Sequence, residues 1–271
     1  MSQKLPLIIE PQLLEKYLTD SSCIILDLSK LENFQKFHIP NAIHLEYAKI
    51  IRNDKPVMGL LPDPAELSAL LASLGVSDNT HVIAYDDEGG GKAARLLWTL
   101  DLMGFKAFSL LDGGIFSWER EGFPLTQEVK PAAAGNFNAT YTQDVVADKQ
   151  YILSHLKDSN VKLLDARSSD EYSGIKKFAE KGGHIPGAVN LDWVQTMNLD
   201  NNLRFKDAAE LTKIFAALDI TTDKEIIVYC QTHHRSSHTY IVLKSLGYPH
   251  IKGYAGAWSD WGNDANTPVE I

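Results

Sequence analysis

The chain contains the same series of short motifs twice, and this internal repeat limits its fold more than any other feature. The series is an apolar run ending in Asp, a His-Ile-Pro-x-Ala sequence and an apolar run ending in Tyr. In the first half these motifs are residues 23–27, 38–42 and 81–85, and in the second half they are residues 161–165, 184–188 and 226–229. The copies are offset by 138 to 146 residues. Trp118 and Trp261, which are 143 residues apart, extend the match towards the end of each half. The sequence therefore predicts two similar domains in tandem.

Each half alternates short apolar runs with helical patterns, such as those at residues 65–74 and 208–218. This alternation is typical of the α/β class, in which each domain has a mostly parallel sheet flanked by helices. Residues 126–140 contain the run Lys130-Pro-Ala-Ala-Ala-Gly-Asn, a stretch of polar and small residues without periodicity, which indicates a linker. We predict a first domain at residues 1–125, a linker at residues 126–145 and a second domain at residues 146–271.

Cys230 stands where a strand passes into a helix. The apolar run at residues 226–229 predicts a buried strand, and residues 236–246 predict a helix that ends at Gly247, ahead of Pro249. The inward N–H groups of a tight loop and the positive end of a helix dipole both favour a thiolate over a thiol. Because the thiolate is the nucleophile, this position predicts a reactive cysteine rather than a buried inert one.

The first half provides an internal control for this site. Aligning Tyr85 with Tyr229 places Asp86 opposite Cys230, and a carboxylate cannot act as a sulfur nucleophile. The first domain is therefore predicted to be inactive. Its glycine-rich loop has an Asp where a phosphate-binding loop needs its first glycine, and Ala93 where that loop needs Ser or Thr. We interpret it as a turn before a helix at residues 93–103.

The composition restricts the partners and the compartment. A formal net charge of −9 provides no global basic field, so we expect neither nucleic acid nor a membrane surface as a partner. The two cysteines, Cys23 and Cys230, fall in separate predicted domains, which excludes a disulfide framework. The N-terminal apolar run is too short for a signal peptide, and no stretch approaches membrane-spanning length. We expect a cytoplasmic protein.

These motifs resemble those of the rhodaneses, or thiosulfate sulfurtransferases, over essentially the whole chain. The resemblance is to the two-domain bacterial members with a Cys-Gln-Thr-His-His-Arg loop. It is carried by four segments of the second half: Leu163-Leu-Asp-Ala-Arg167 with Glu171-Tyr172, Gly183-His-Ile-Pro-Gly-Ala188, the loop at Cys230, and residues 253–261. It implies two tandem rhodanese-like domains, of which the first, with Asp86 at the cysteine position, is inactive.

The resemblance also implies a double displacement at Cys230. The thiolate would take the outer sulfur of thiosulfate, expel sulfite, and pass the sulfur from the resulting persulfide to cyanide or a thiol. No cofactor or metal is implied besides this covalent persulfide. The residues that would surround the anionic sulfur, mostly through backbone N–H groups, are Gln231, Thr232, His233, His234 and Arg235.

Two arginines are expected to supply positive charge near the sulfur. The guanidinium of Arg235 is suited to grip donor oxygens bidentately, and Arg167, whose counterpart in the first half is Ser29, is expected to add to the positive field. The loop lacks the Arg-Lys pair of the animal thiosulfate enzymes and the Gly-Ser-Gly-Val-Thr of mercaptopyruvate-using relatives, and Glu171 replaces an Arg of the animal enzymes. Thiosulfate is the expected laboratory donor, and the physiological donor stays open.

Three other functions share the same cysteine. A cysteine-dependent phosphatase needs Cys-x5-Arg, but Arg235 follows Cys230 as Cys-x4-Arg, which leaves a smaller cradle. A metal site built from Cys230, His233, His234 and His238 lacks a second cysteine pair, and we interpret His238 as a helix-surface or capping histidine. A persulfide carrier would use the same thiolate and differ only in delivering the sulfur to a thiol protein.

Several residues recur in both halves although only one half has the cysteine, so we expect them to serve the fold. The aspartates stand at strand ends, where a carboxylate is suited to accept hydrogen bonds from the loop backbone. The tryptophans are expected to pack each domain. The three recurring pairs are His38 and His184, Asp27 and Asp165, and Trp118 and Trp261.

Overall fold

The computed structural model describes residues 5–271 and divides into two compact units. Unit 1 consists of the described residues up to Ile50, residues 62–141 and residues 198–205. Unit 2 consists of residues 51–61, 142–197 and 206–271. Each unit therefore includes a short segment from the other half of the sequence.

Unit 1 is built on a five-stranded sheet in which all the neighbouring strands are parallel. Its strands are β1 (Ile8–Ile9), β2 (Cys23–Asp27), β3 (Ile43–His44), β6 (His81–Tyr85) and β7 (Phe108–Leu111), in the order β1-β7-β6-β2-β3. Its helices are α1 (Pro11–Leu14), α2 (Leu31–Lys36), α3 (Pro64–Ser73), α4 (Gly91–Leu102) and α5 (Gly114–Arg120). A 3-10 turn at Tyr47–Ile50 follows β3.

Unit 2 repeats this arrangement with four parallel strands. They are β8 (Val161–Asp165), β9 (Val189–Asn190), β12 (Glu225–Tyr229) and β13 (Ile251–Gly253), in the order β13-β12-β8-β9. The helices are α6 (Lys149–His155), α7 (Ser169–Tyr172), α8 (Ala208–Ala217), α9 (Arg235–Ser245) and α10 (Ala257–Trp261), with a 3-10 turn at Trp193–Thr196. The strands β10 (Met197–Asn198) and β11 (Arg204–Phe205) lie between β9 and α8 in the chain, and β11 falls in the segment 198–205 that belongs to unit 1.

An antiparallel hairpin completes unit 2. Its strands, β4 (Arg52–Asp54) and β5 (Val57–Leu60), come from the first half of the sequence. Hydrogen bonds of 2.9 and 3.0 Å join the backbone of Met58 to the hydroxyl of Ser259 in α10. The hairpin is thereby fixed beside the segment that follows β13.

The predicted α/β class with parallel sheets is confirmed. The predicted helix at residues 65–74 is α3, that at 208–218 is α8, and that at 236–246 is α9, each within one or two residues of its expected bounds. Gly247 ends α9 with φ +82, the left-handed conformation that glycine adopts at a helix C-terminus. The apolar run before Cys230 and the glycine that ends α9 therefore located the elements that carry the site.

The proposed linker has no helix and no strand beyond single bridge residues between 126 and 146. Its first part is nevertheless packed onto unit 1, because Phe137 is buried and its ring meets that of Phe105 at 5.6 Å. The backbone of Gly135 also donates to Ala72. Residues up to Tyr141 belong to unit 1.

The recurring residues hold equivalent places in the two units. Parallel pairing sets Asp27 beside Tyr85 and Asp165 beside Tyr229, and each carboxylate accepts a backbone N–H two residues further on, at 2.7 and 2.9 Å. The indole N–H groups of Trp118 and Trp261 donate at 2.7 Å to the carbonyls of Pro124 and Pro268, respectively. The predicted role of these residues in the fold is confirmed.

The two histidines are also structural. His38 stacks on Phe34 and His184 on Tyr172, with ring centroids 3.8 and 3.6 Å apart. Each Nδ1 lies within 3.0 Å of the backbone carbonyl of its stacking partner.

Among the described residues, no helix has the length and apolar character needed to cross a membrane.

Candidate active site

Cys230 lies directly after β12, at the carboxyl end of the unit 2 sheet. The loop from Cys230 to His234 leads into α9. The carbonyls of Cys230 and Gln231 accept the N–H groups of Trp258 and Ser259, at 2.9 and 3.0 Å. These bonds fix the outer side of the loop, so that its own N–H groups can turn towards the sulfur.

The surroundings of Cys230 favour the thiolate. Burial of this cysteine, which has no exposed surface, is the largest effect and raises the pKa of the thiol. The charge of Arg235, the hydroxyl of Ser236 and the backbone amides of Ser236 and Thr232 oppose it, and the pKa ends below its ordinary value. A cysteine whose thiolate is stabilised in this way fits the nucleophile that the sequence predicts.

A hydrogen-bond chain leads from His233 to the sulfur. His233 Nδ1 lies 2.7 Å from Ser236 Oγ. Because the single hydroxyl hydrogen of Ser236 is donated to the Cys230 thiolate, Oγ must accept from His233 Nδ1–H. His233 is fully buried and has φ +54, a conformation that costs about 1–3 kcal/mol for a residue other than glycine. This strain brings the imidazole to Ser236.

Arg235 is held by Glu171 of α7. Its two terminal nitrogens donate to the two carboxylate oxygens of Glu171 at 2.7 and 2.8 Å. Burial alone would raise the pKa of Glu171, but the hydrogen bonds and charge of Arg235, with the hydrogen bonds from Ser168, bring it below its usual value. Glu171 and Ser168 also form the capping box of α7. The bidentate grip expected towards a donor is therefore occupied by an internal carboxylate, while 22% of the Arg235 side chain stays exposed.

The remaining loop residues differ in what they contact. Gln231 Nε2 donates to the carbonyl of Phe178 at 3.0 Å. The ring of His234 lies 6.1 Å from that of Trp193. Thr232 supplies its backbone amide to Cys230, and its carbonyl lies so close to Gly59 of the hairpin that a Cβ there would be 2.3 Å away.

Arg167 occupies a buried position in unit 2. Its guanidinium donates to both oxygens of Asp165 and to the carbonyl of Gly183, and it lies 4.4 Å from the ring centroid of Trp258. Only 1% of its side chain is exposed. This arrangement favours a structural role for Arg167, and its contribution to substrate binding stays a prediction.

The interpretation of His238 as a surface or capping residue is wrong. His238 has no exposed surface; its ring meets that of Trp193 edge to face at 5.2 Å, and Nδ1 lies 3.4 Å from the hydroxyl of Thr196. Its face of α9 is buried because almost the whole helix lies inside unit 2.

In the described part of the chain, His, Cys, Asp and Glu form no group of three that could hold a metal ion.

Asp86 occupies the matching cradle in unit 1. Its carboxylate accepts the backbone N–H groups of Glu88, Gly90 and Ala93 at 2.8 to 3.0 Å. Burial and the charge of Glu88 raise the pKa of Asp86 to about 6, in spite of these three bonds. The loop after β6 therefore keeps the geometry of an anion cradle and fills it with its own carboxylate.

Three contributors to the site were missed in the sequence. Ser236 could have been found as a hydroxyl residue in the first helical turn after the loop, where its side chain reaches back to the cysteine. Glu171 was noted only as a departure from a pattern, since nothing local in the sequence pairs it with Arg235. Gly59 has no local signal at all, because its role depends on the packing of a distant hairpin against Thr232.

Comparison with known proteins identifies the family. The sequence model described as the Rhodanese-like domain matches residues 10–121 and 148–264. The chain is 40% identical to thiosulfate sulfurtransferase of Pseudomonas aeruginosa, over 98% of this chain and 98% of that protein. It is 34% identical to the sulfur carrier protein TtuD of Thermus thermophilus, over 94% of this chain and 93% of that protein.

A solved structure shows the same fold. An anaerobic ergothioneine biosynthesis enzyme from Chlorobium limicola, in complex with trimethyl histidine, superimposes with a TM-score of 0.83 at 22% identity. The match covers 92% of this chain and 64% of that one, so this chain spans less than two thirds of its length. Two domain matches and relatives at 40% identity over nearly the full length establish that the chain belongs to the rhodanese family.

Proposed function

We propose that this protein is a sulfurtransferase that moves the sulfane sulfur of thiosulfate to cyanide or a thiol through a persulfide on Cys230. The observation that carries the proposal is the lowered pKa of a buried cysteine held by backbone amides, Ser236 and Arg235. A sulfur anion at this position is stabilised before any donor arrives, which is what a persulfide cycle requires.

The cycle consists of two displacements. The Cys230 thiolate attacks the outer sulfur of thiosulfate, the sulfur–sulfur bond of the donor breaks, and sulfite leaves with the electron pair. An acceptor anion then attacks the outer sulfur of the persulfide and regenerates the thiolate. The protein needs no cofactor for these steps, and we place it in the cytoplasm, where thiol acceptors are reduced.

The amide cradle supports both anionic states. A persulfide is larger than a thiolate and carries its charge one atom further out. The inward N–H groups of Thr232 and Ser236 would stabilise the negative charge of the thiolate and then that of the persulfide. Arg235 supports the proposal because the exposed part of its side chain would offer positive charge to the sulfite oxygens of the donor.

A mass measurement tests the proposal. The protein is treated with thiosulfate, then with cyanide, and weighed intact after each step. We expect a gain of one sulfur that cyanide removes as thiocyanate. Cys230→Ser should gain nothing, and Cys23→Ser, the matched control at the other cysteine, should behave like the wild type. If the wild type gains no sulfur and hydrolyses an aryl phosphate, the sulfurtransferase proposal is wrong and the phosphatase is supported.

A second candidate is a persulfide carrier that delivers sulfur to a thiol protein. The similarity to the sulfur carrier protein of Thermus thermophilus favours it. The two functions are separated by giving the loaded protein a low-molecular-weight thiol and a reduced thiol protein at equal concentration. Preferential transfer to the protein supports the carrier, and equal or slower transfer supports the enzyme. The same assay with 3-mercaptopyruvate in place of thiosulfate identifies the preferred donor.

A further inference from the structure

A cavity of about 570 Å³ opens in unit 1 beside the loop of Asp86. Its wall is formed by the residues after β2, the residues after β3 and the first turn of α4. Cavities of 300–1,000 Å³ are the usual size of small-molecule sites. The inactive domain therefore has room for a ligand.

The repeat places this cavity where unit 2 has its active site. His44 Nε2 lies 2.9 Å from the carbonyl of Ser29, and its counterpart Asn190 donates at 2.8 Å to the carbonyl of Arg167. The 3-10 turns Tyr47–Ile50 and Trp193–Thr196 follow at the same offset of 146 residues. In the repeat, Asp86 corresponds to Cys230 and Tyr47 corresponds to Trp193. The cavity is therefore the unit 1 counterpart of the region between Trp193 and Cys230 in unit 2.

The charge of the wall differs between the two halves. Lys30, Lys49 and Lys92 line the cavity, whereas the corresponding residues of the second half, Ser168, Gln195 and Ser236, are uncharged. The basic residue of the active loop, Arg235, has a glycine as its counterpart, at position 91. Positive charge is therefore found at the rim of the unit 1 cavity instead of in its loop.

Two of these lysines have their charge available. Lys92 is paired with Asp87 at 2.8 Å and lies 3.5 Å from Glu88. Lys30 and Lys49 are exposed, and within residues 5–271 neither has an ion-pair partner. The one carboxylate among the lining residues is Glu46.

The rest of the wall is largely apolar. Leu31, which is 53% exposed, lines the opening together with Leu28, Ala48 and the ring of Tyr47. An exposed leucine beside unneutralised lysines offers separate contacts for an apolar body and for an anionic group. We propose that this cavity binds a small organic anion, a carboxylate or sulfonate carried on an apolar body.

The test uses 8-anilinonaphthalene-1-sulfonate, an aromatic sulfonate whose fluorescence rises on binding. The full-length protein is titrated with the probe, and we expect saturable binding to one site. Lys30→Glu and Lys49→Glu should each weaken the affinity by about fivefold, the effect of an exposed charge close to a ligand charge. Lys16→Glu, the same charge change in unit 1 at a residue that does not line the cavity, should have no effect.

Two further variants complete the test. Ala48→Trp fills the cavity from an exposed position and should abolish binding, with its melting temperature recorded to confirm that it is folded. Cys230→Ser should bind the probe as the wild type does, which excludes the active site. Absence of saturable binding, or binding that Lys30→Glu, Lys49→Glu and Ala48→Trp all leave unchanged, would overturn the proposal.

Discussion

At the scale of single residues, Cys230 and Asp86 occupy one position of the repeat, and the pKa values of their acidic groups are shifted in opposite directions. Backbone amides reach both. Burial and Glu88 nevertheless raise the pKa of Asp86 to about 6, whereas the pKa of Cys230 is lowered against the same effect of burial. The charge of Arg235 is the main opposing contribution at Cys230. The amides are common to both sites; Cys230 has in addition the charge of Arg235 and the hydroxyl of Ser236, whereas Asp86 has the like charge of Glu88.

Replacing Ser236 with alanine tests the hydroxyl donor. A hydrogen bond to a charged group contributes about 1.5–3 kcal/mol, so its loss should raise the pKa of Cys230 by roughly one pH unit or somewhat more. The pH dependence of alkylation by iodoacetamide measures this pKa, with the adduct assigned to Cys230 by peptide mapping. Ser245→Ala, at the exposed end of the same helix, should leave the profile unchanged. An unchanged profile for Ser236→Ala would refute the donor role.

Glu171 should stabilise the fold in a pH-dependent way. Its pKa is lowered in the folded state, so the stabilisation is present above the ordinary pKa of about 4.3 and is lost as the pH falls through the folded value. Glu171→Gln leaves Arg235 without its carboxylate, and we expect a loss of about 2 kcal/mol at pH 7. Urea denaturation of the wild type and of Glu171→Gln measures the difference between their free energies of unfolding.

The sign of the pH dependence is the decisive result. The gap in unfolding free energy between wild type and Glu171→Gln should shrink as the pH falls from the ordinary pKa of a glutamate towards the lower pKa of folded Glu171, because Glu171 is then progressively protonated and, like Gln, loses its charge. Glu210→Gln removes a half-exposed partner of Lys206 and should cost less than about 0.5 kcal/mol at either pH. A gap for Glu171→Gln that is constant with pH would exclude a charge-based role.

At the scale of elements, the loop from Cys230 to His234 is held between a helix and a hairpin. The α9 helix supplies Ser236 and Arg235, and the β4–β5 hairpin presses Gly59 against the carbonyl of Thr232. Gly59 has φ +74, and its N–H donates to Asn53 at 2.9 Å. Because the Thr232 amide donates to Cys230, the hairpin fixes the loop on the side opposite to the sulfur.

Gly59→Ala tests this clamp. A methyl group 2.3 Å from the Thr232 carbonyl oxygen cannot be accommodated without moving the loop or the hairpin. We expect kcat/KM for sulfur transfer to fall by tenfold or more, since about 1.4 kcal/mol of lost transition-state stabilisation suffices. Gly247→Ala is the matched control, because Gly247 has φ +82 but nothing within 4 Å of a Cβ. It should lower stability while leaving kcat/KM within about twofold.

The sequence predicted elements better than contacts between elements. The strand before Cys230 and the helix after it were predictable, because apolar period and a terminal glycine are local signals. The pairing of Arg235 with Glu171, and the approach of Gly59 to Thr232, join residues 64 and 173 positions apart in the chain. The burial of His238 was missed for the same reason, since its polar helix gives no apolar face to recognise.

At the scale of the whole molecule, a net charge of −9 opposes the approach of anions to Cys230. The positive charge at the site is local, and Glu171 neutralises part of it. The Debye length is about 30 Å at 0.01 M salt and about 8 Å at 0.15 M. Distant carboxylates should therefore repel an anionic reagent in dilute buffer and be screened at physiological ionic strength.

The rates of alkylation by iodoacetate and iodoacetamide measure this effect, since the reagents differ mainly in charge. Any change in the pKa of Cys230 with salt affects both rates equally and cancels in their ratio. We expect the ratio of iodoacetate to iodoacetamide rate constants at Cys230 to rise by about two- to threefold between 10 and 150 mM salt. Cys23→Ser ensures that only Cys230 is counted. A ratio that falls with salt would mean that the exposed part of Arg235 outweighs the net charge, and that the site attracts anionic donors over distances longer than a direct contact.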